Sequence, residues 1–271
     1  MEAALCDAAD RLGVQCDGTP VWGVLGLTLS QQAGDRWLRV FSTKRTDGAR
    51  PGGEGIVGAE ALVPDDVPRP RLHSSLDWVT DGLGYGADLF DFVTDPVISP
   101  HRPDLDHDPG LTDEWWSTLR HATVSLGQAQ GGRTTVRDSW IEKAFPQFLG
   151  IPAPEKVERV TGHADLHWGN LTAPLNILDW ERWGMIPIGY DPGILHVYSL
   201  LVPEVAARVR SEFADVLDTP AGRIGELVAL AEMLQAVSRG FYPELAPLLA
   251  ARAAELTGVR PPAPVSSEIP V

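Results

Sequence analysis

The spacing of apolar positions changes character twice along the chain. Leu5, Ala8, Ala9 and Leu12 recur at helical intervals and Gly13 follows as a stop, so residues 2–13 predict a helix. From Pro20 the pattern turns β-rich. VWGVLGLTLSQQ and DRWLRVFSTK read as strands with a hairpin turn at Ala33-Gly34-Asp35 between them, and Gly23 and Gly26 fall inside the first. A Gly/Pro-rich loop, GARPGGEG at 48–55, precedes a short helical pattern through Ile56, Ala59, Leu62 and Val63. Two further strands are predicted at 72–79 and 85–93, joined across Asp81-Gly82 and Gly84. The first ninety residues thus read as a mostly antiparallel sheet with one inserted helix.

After Thr94-Asp95-Pro96 the period becomes helical. Thr112 is an N-cap followed by Asp113 and Glu114, and Trp116, Leu119, Thr123 and Leu126 mark one face. A second helix is predicted over 139–148, where Pro146 ends or kinks it. Val205, Val209, Phe213 and Val216 form another stripe. Residues 221–258 form a long helical region interrupted near Gly240 and Pro243, and the tail RPPAPVSSEIPV reads as disordered. The class is α+β: a sheet lobe over 1–93, a connector over 94–110, a helical lobe over 111–258 and a tail over 259–271.

Composition narrows the possibilities. A chain of 271 residues is long enough for one large domain or two lobes sharing a cleft. The net charge of −15 argues against nucleic acid or an anionic membrane as partner. No stretch approaches the roughly 18 apolar residues of a membrane span. The acidic N-terminus, MEAALCDAAD, resembles neither a signal nor a transit peptide, and Cys6 and Cys16 read as reduced thiols of a cytoplasmic protein, with a disulfide between them as the alternative. Between Asp77 and Glu114 stand ten acidic residues and one Arg102. That stretch reads either as a solvated surface or as a wall that attracts a cationic substrate.

The chemistry concentrates in His163 to Glu181, HADLHWGNLTAPLNILDWE. Asp165 precedes Asn170 by five residues, and Asp179 follows in an apolar run, Leu175 to Trp180, that predicts a strand. A hairpin over Thr172-Ala173-Pro174 brings Asn170 and Asp179 to one end. One carboxylate to orient a hydroxyl, with an amide and a second carboxylate to hold Mg²⁺ against nucleotide phosphates, suits phosphoryl transfer. Two other readings stay open: a transition-metal site from the alternating His163, Asp165 and His167, and a purely structural turn.

HADLHWGN with LDWE at 178–181 and GYDPGILH at 189–196 resembles the aminoglycoside phosphotransferase and choline kinase-like family, whose catalytic loop reads H-G-D-x-H-x-x-N. The resemblance is sharp over 161–200, and Ala164 stands where the family has Gly. It implies a two-lobed protein kinase-like fold whose N-terminal lobe binds the nucleotide, with Asp165 as catalytic base, Asn170 and Asp179 as Mg²⁺ ligands, and a structural His163. It further implies ATP or GTP as phosphate donor and a small-molecule hydroxyl as acceptor, cationic if the acidic stretch faces it. The third-strand nucleotide-binding lysine of the family is replaced by Arg39, with Lys44 five residues later. Its partner acid is Glu54 or Glu60. Phe92, Val93 and Thr94 fall where the family reads adenine through backbone groups. Asp191, Glu204, Glu212 and Glu232 are candidate substrate contacts. Besides an active kinase, a pseudokinase-type binding or scaffold protein and a Ser/Thr kinase of precursor peptides remain open.

Overall fold

The computed structural model describes residues 1–23, 26–43 and 55–263. Lys44, Glu54, most of the GARPGGEG loop and the tail from 264 lie outside the described residues. The chain forms two compact units, one of residues 1–63 and 68–95, the other of 64–67 and 96–271.

The first unit is an antiparallel sheet with helices α1 (Glu2–Leu12) and α2 (Gly55–Leu62). Its strands are β1 (Asp17–Trp22), β2 (Thr28–Ala33), β3 (Arg36–Thr43), β4 (Leu72–Thr80) and β5 (Leu83–Asp91), in the order β1-β2-β3-β5-β4. The apolar stripe of α1 fills one core: Ala4, Leu5, Ala8 and Ala9 pack with Leu29, Leu38, Val40 and Trp78. Asp81 and Gly82, both at positive φ, make the two-residue turn between β4 and β5, the geometry that matches strand twist.

One expectation is corrected here. VWGVLGLTLSQQ is not one strand but parts of β1 and β2, paired to each other with Trp22 opposite Leu29. Gly23 and Gly26 therefore sit in the turn, where the Gly23 N–H donates to Thr28 O at 3.0 Å. A hairpin that reverses within an apolar run leaves no polar gap, so its pattern looks continuous.

The second unit is mainly helical. It contains α3 (Asp113–Gln128), α4 (Asp138–Ala144), β6 (Arg159–Gly162), β7 (Gly184–Pro187) and α5 (Tyr190–Val197). Next come α6 (Pro203–Glu212), α7 (Ala214–Leu217), α8 (Pro220–Ser238) and α9 (Ala246–Thr257). Thr112 caps α3 by accepting from Trp115 N at 3.3 Å. Pro146 does not end α4 but falls in a π-helical turn, Phe145–Leu149, that continues it. Every residue of α5 is buried, and α8 packs against it. The approach needs Gly225, where a Cβ would meet Ile188 O at 2.1 Å.

Strands β6 and β7 pair antiparallel, and Gly162 faces Gly184. Residues 163–183 are thus one long excursion clamped at its base by a two-stranded ladder. The predicted strand at 175–180 is reduced to a single bridge, Leu171 to Ile177, flanked by Thr172 N to Asn176 O and Leu178 N to Asn170 O. That is enough to fold Asn170 back beside Leu178, but the chain then turns away at Asp179, whose φ is 59°.

Candidate active site

The excursion is held from below by Asp191 at the start of α5. Its Oδ2 accepts from His163 N at 2.7 Å and its Oδ1 from Ala164 N at 2.9 Å. Burial pushes the Asp191 carboxyl up to about 6, and these two N–H donors oppose that push. His163 is fully buried, with Nε2 2.8 Å from Leu178 O, and burial drives its pKa down to about 4. It is a strut: its Nε2 is committed to Leu178 O and its ring packs edge to face on Trp180. Trp168 anchors the far end: its ring stacks on Trp115 and its Nε1 donates to Ser199 Oγ at 3.0 Å.

Asp165 emerges from this base half-buried. Burial raises its pKa to about 7; Arg182 pulls it down, while Asp179, Glu232 and Asp191 push it further up. Arg182 Nη1 lies 3.5 Å from Asp165 Oδ1, and its Nη2 lies 3.2 Å from Glu232 Oε1. The Tyr190 hydroxyl donates to the other Glu232 oxygen. His167 Nε2 is 3.8 Å from Asp165 Oδ2, and burial holds that imidazole neutral at about 4. Asp165, Arg182 and Glu232 line one cavity of about 280 Å³ with Tyr198, Arg239 and Tyr242.

Asn170 donates through Nδ2 to Asp165 O at 3.0 Å, which commits its amino group to the loop and leaves Oδ1 with no hydrogen bond among the described residues. Asp179 is exposed and close enough to Asp165, His163 and His167 to shift all three. A neutral hard oxygen and one carboxylate fit Mg²⁺, which takes few protein ligands and completes its shell with water and phosphate oxygens.

The loop therefore brings Asp165, Asn170 and Asp179 together. The other predicted site residues lie in the first unit. Arg39 is half-buried on β3, in register with Ser30 and Asp88. Glu60 on α2 is committed to Arg71, whose Nε donates at 2.7 Å, and to Leu72 N at 3.0 Å. Phe92 follows β5; its N–H donates to Asp35 O at 3.0 Å and its ring stacks on Trp37. Val93 and Thr94 follow without regular structure. Of the candidate substrate contacts, Glu232 lines the cavity, Asp191 is buried beneath the loop, Glu204 is exposed and Glu212 pairs with Arg208 at 2.7 Å.

Arg182 and Tyr190 were not singled out from the sequence. Arg182 directly follows LDWE, and a base beside the two acids Asp179 and Glu181 was the available signal.

No family model and no curated protein matches the sequence. Solved structures do match. A choline/ethanolamine kinase family protein from Mesorhizobium loti aligns at TM-score 0.56 and 16% identity, covering 95% of each chain. The chain has a protein kinase-like fold. Amicoumacin kinase hAmiN in complex with AMP-PNP, Ca²⁺ and Ami aligns at 0.56 and 11%, covering 94% of this chain and 92% of that one. The GDP complex of aminoglycoside 2'-phosphotransferase-IIIa aligns at 0.54 and 12%, covering 95% and 97%. At these identities the likeness establishes the fold.

Proposed function

We propose that the chain is a Mg²⁺-dependent phosphotransferase that moves the γ-phosphoryl group of ATP or GTP to an alcohol hydroxyl of a small molecule. The observation that carries this reading is a half-buried carboxylate, Asp165, lining a cavity on a loop that also presents Asn170 Oδ1 and Asp179. The AMP-PNP and GDP complexes of proteins with the same fold support a nucleotide donor.

In this reading the acceptor hydroxyl enters the cavity and hydrogen-bonds to Asp165. A carboxylate with a pKa near 7 is a stronger proton acceptor than an ordinary one and is still ionised in a useful fraction near neutral pH. Arg182 keeps the carboxylate oriented and partly ionised, and neutral His167 adds no competing charge. Asn170 and Asp179 are the residues that hold the metal, which when bound neutralises charge on the phosphates. Arg39, with the backbone at Phe92, Val93 and Thr94, contributes to nucleotide binding. A pseudokinase is the second reading, favoured by Arg39 in the lysine position, because a guanidinium meets phosphate as a bulkier planar fork.

Thermal shift with ATP or GTP, each with and without Mg²⁺, separates the two. A rise in Tm that needs the metal supports the enzyme; no movement with either nucleotide ends this reading. Asp165→Asn should keep that shift while acceptor-dependent turnover falls roughly 100-fold or more, the size of a lost positioned base. Asp179→Ala should instead abolish the metal-dependent part of the shift.

A further inference from the structure

The chain carries −15 overall, yet the walls of the candidate acceptor cavity are balanced differently. Each carboxylate there already faces Arg182. Both Glu232 oxygens are taken, one by Arg182 at 3.2 Å and one by the Tyr190 hydroxyl. Asp165 has Arg182 at 3.5 Å. An ammonium group entering this cavity would meet the Arg182 charge beside both of its carboxylates.

Two cations are left over. Arg239, exposed at the end of α8, lines this cavity and has no ion pair among the described residues. Arg137, exposed just before α4, is likewise without an ion pair among them. It lines a second cavity of about 140 Å³ that shares Arg182, Glu232 and Gln235 with the first. Three guanidinium groups and two carboxylates line the two cavities, and the unpaired charge lies at the exposed Arg239 and Arg137. Three aromatic residues, Tyr198, Phe241 and Tyr242, line the first cavity beside Ile194, Met233 and Ala236. Tyr198 and Tyr242 meet edge to face at 5.7 Å, and Phe241 is 55% exposed beside them. An exposed aromatic side chain at the mouth of a cavity is a surface for an apolar group.

We propose that the acceptor is a hydroxyl compound bearing an anionic group, a carboxylate or phosphate, and an apolar ring or chain, with Arg239 and Arg137 receiving the anion and the Tyr198–Tyr242 wall the apolar part. This deepens the phosphotransferase reading and rests on it for the word acceptor. It opposes the cationic substrate that the acidic stretch at 77–114 favours. Several acids of that stretch are neutralised locally: Asp91 by Arg36, Asp104 by Arg102, and Asp113 by Arg208.

The test is a matched series on one scaffold: 4-(hydroxymethyl)benzoate, 4-methylbenzyl alcohol and 4-(hydroxymethyl)benzylamine. Binding to the full chain is measured by ligand-observed NMR, and turnover by nucleotide consumption with Mg²⁺. The benzoate should bind about tenfold more tightly than the amine, the worth of one charge-assisted contact. Arg239→Gln should erase most of that preference and Arg239→Glu should reverse it; an exposed side chain makes both variants safe for folding, which circular dichroism checks. Equal or tighter binding of the amine overturns the proposal, and so does failure of all three to bind at millimolar concentration. Charge-ordered binding that depends on Arg239 but yields no transfer upholds the anion site and counts against the phosphotransferase reading instead.

Discussion

Two carboxylates in the second unit, Asp165 and Glu226, both sit low in protein beside arginines, and their fates are opposite. Glu226 is wholly buried in α8 and accepts from Arg252 on α9 at 2.8 and 3.1 Å and from Arg210 on α6 at 3.1 Å. His196 Nδ1 on α5 is 3.1 Å away. Burial pushes its pKa up, but these partners win and hold it at about 2. Asp165 has one guanidinium at 3.5 Å and three like charges nearby, so burial wins and the pKa climbs to about 7. The first carboxylate ties four helices together; the second is left under-partnered. A buried acid is satisfied where the fold needs a fixed link and left needy where a ligand is to complete it.

Backbone conformation divides the same way. Ala164, Asp179 and Tyr242 hold positive φ at the loop or cavity, whereas Glu226 lies within a regular helix. Strained residues gather where the surroundings must hold a reactive geometry.

Breaking the satisfied carboxylate should have the larger effect. Glu226→Ala removes the carboxylate shared by Arg252, Arg210 and His196, and leaves the two arginines only their outer partners, Glu255 and Asp218. It should cost about 3–5 kcal/mol of unfolding free energy, as broken buried pairs do. Urea denaturation at neutral pH measures this, and a loss below roughly 1 kcal/mol would make Glu226 an ordinary surface acid. The pH sign follows from the depressed value. The contribution is complete above the ordinary carboxyl value of 4.5 and is lost as pH falls toward 2.

The needy carboxylate should respond in reverse. A folded-state pKa raised from 3.8 to about 7 is a penalty absent at low pH, growing through that window and complete above it. Asp165→Asn should therefore raise stability by about 1–2 kcal/mol at pH 8 in the absence of metal and nucleotide, less than the shift alone implies because Arg182 loses a partner. Below about pH 4 the gain should vanish. Melting curves at the two pH values give the comparison directly. A variant less stable than the parent at pH 8 would mean that Asp165 is a structural ion pair.

What could be read from the sequence follows from where the contacts run. Asp165, Asn170 and Asp179 lie within fifteen residues, and their chemistry is written in linear spacing. The alternating and helical stripes likewise gave the α1 and α3 faces and the antiparallel lobe. Arg182, Glu232 and Tyr190 meet across separations of 42 and 50 residues, so no local pattern announces them. The strand expected at 175–180 failed because Leu178 N turns to Asn170 O and Asp179 then leaves the extended region, a tertiary demand that overrides an apolar run. Lys44 and Glu54, expected beside the nucleotide, lie outside the described residues.

The smallest effect is expected at Ala164, at the root of the loop that carries Asp165. Its φ of 67° is costly for a residue with a Cβ, by roughly 1–2 kcal/mol. Ala164→Gly removes that strain, yet it gives up a fully buried methyl worth about 0.8 kcal/mol and gains about 0.5–1 kcal/mol of unfolded-state entropy to lose. The terms nearly cancel, so stability should move by less than about 1 kcal/mol and turnover by less than about threefold. Ala164→Val should behave differently. A β-branched residue resists this region of φ more strongly and has no room in a fully buried position, so the Asp191 clamp on Ala164 N should loosen and turnover should collapse. If Val is tolerated as well as Gly, the strain around Asp165 is incidental, and under-partnering of the carboxylate is left as the only difference between the two acids.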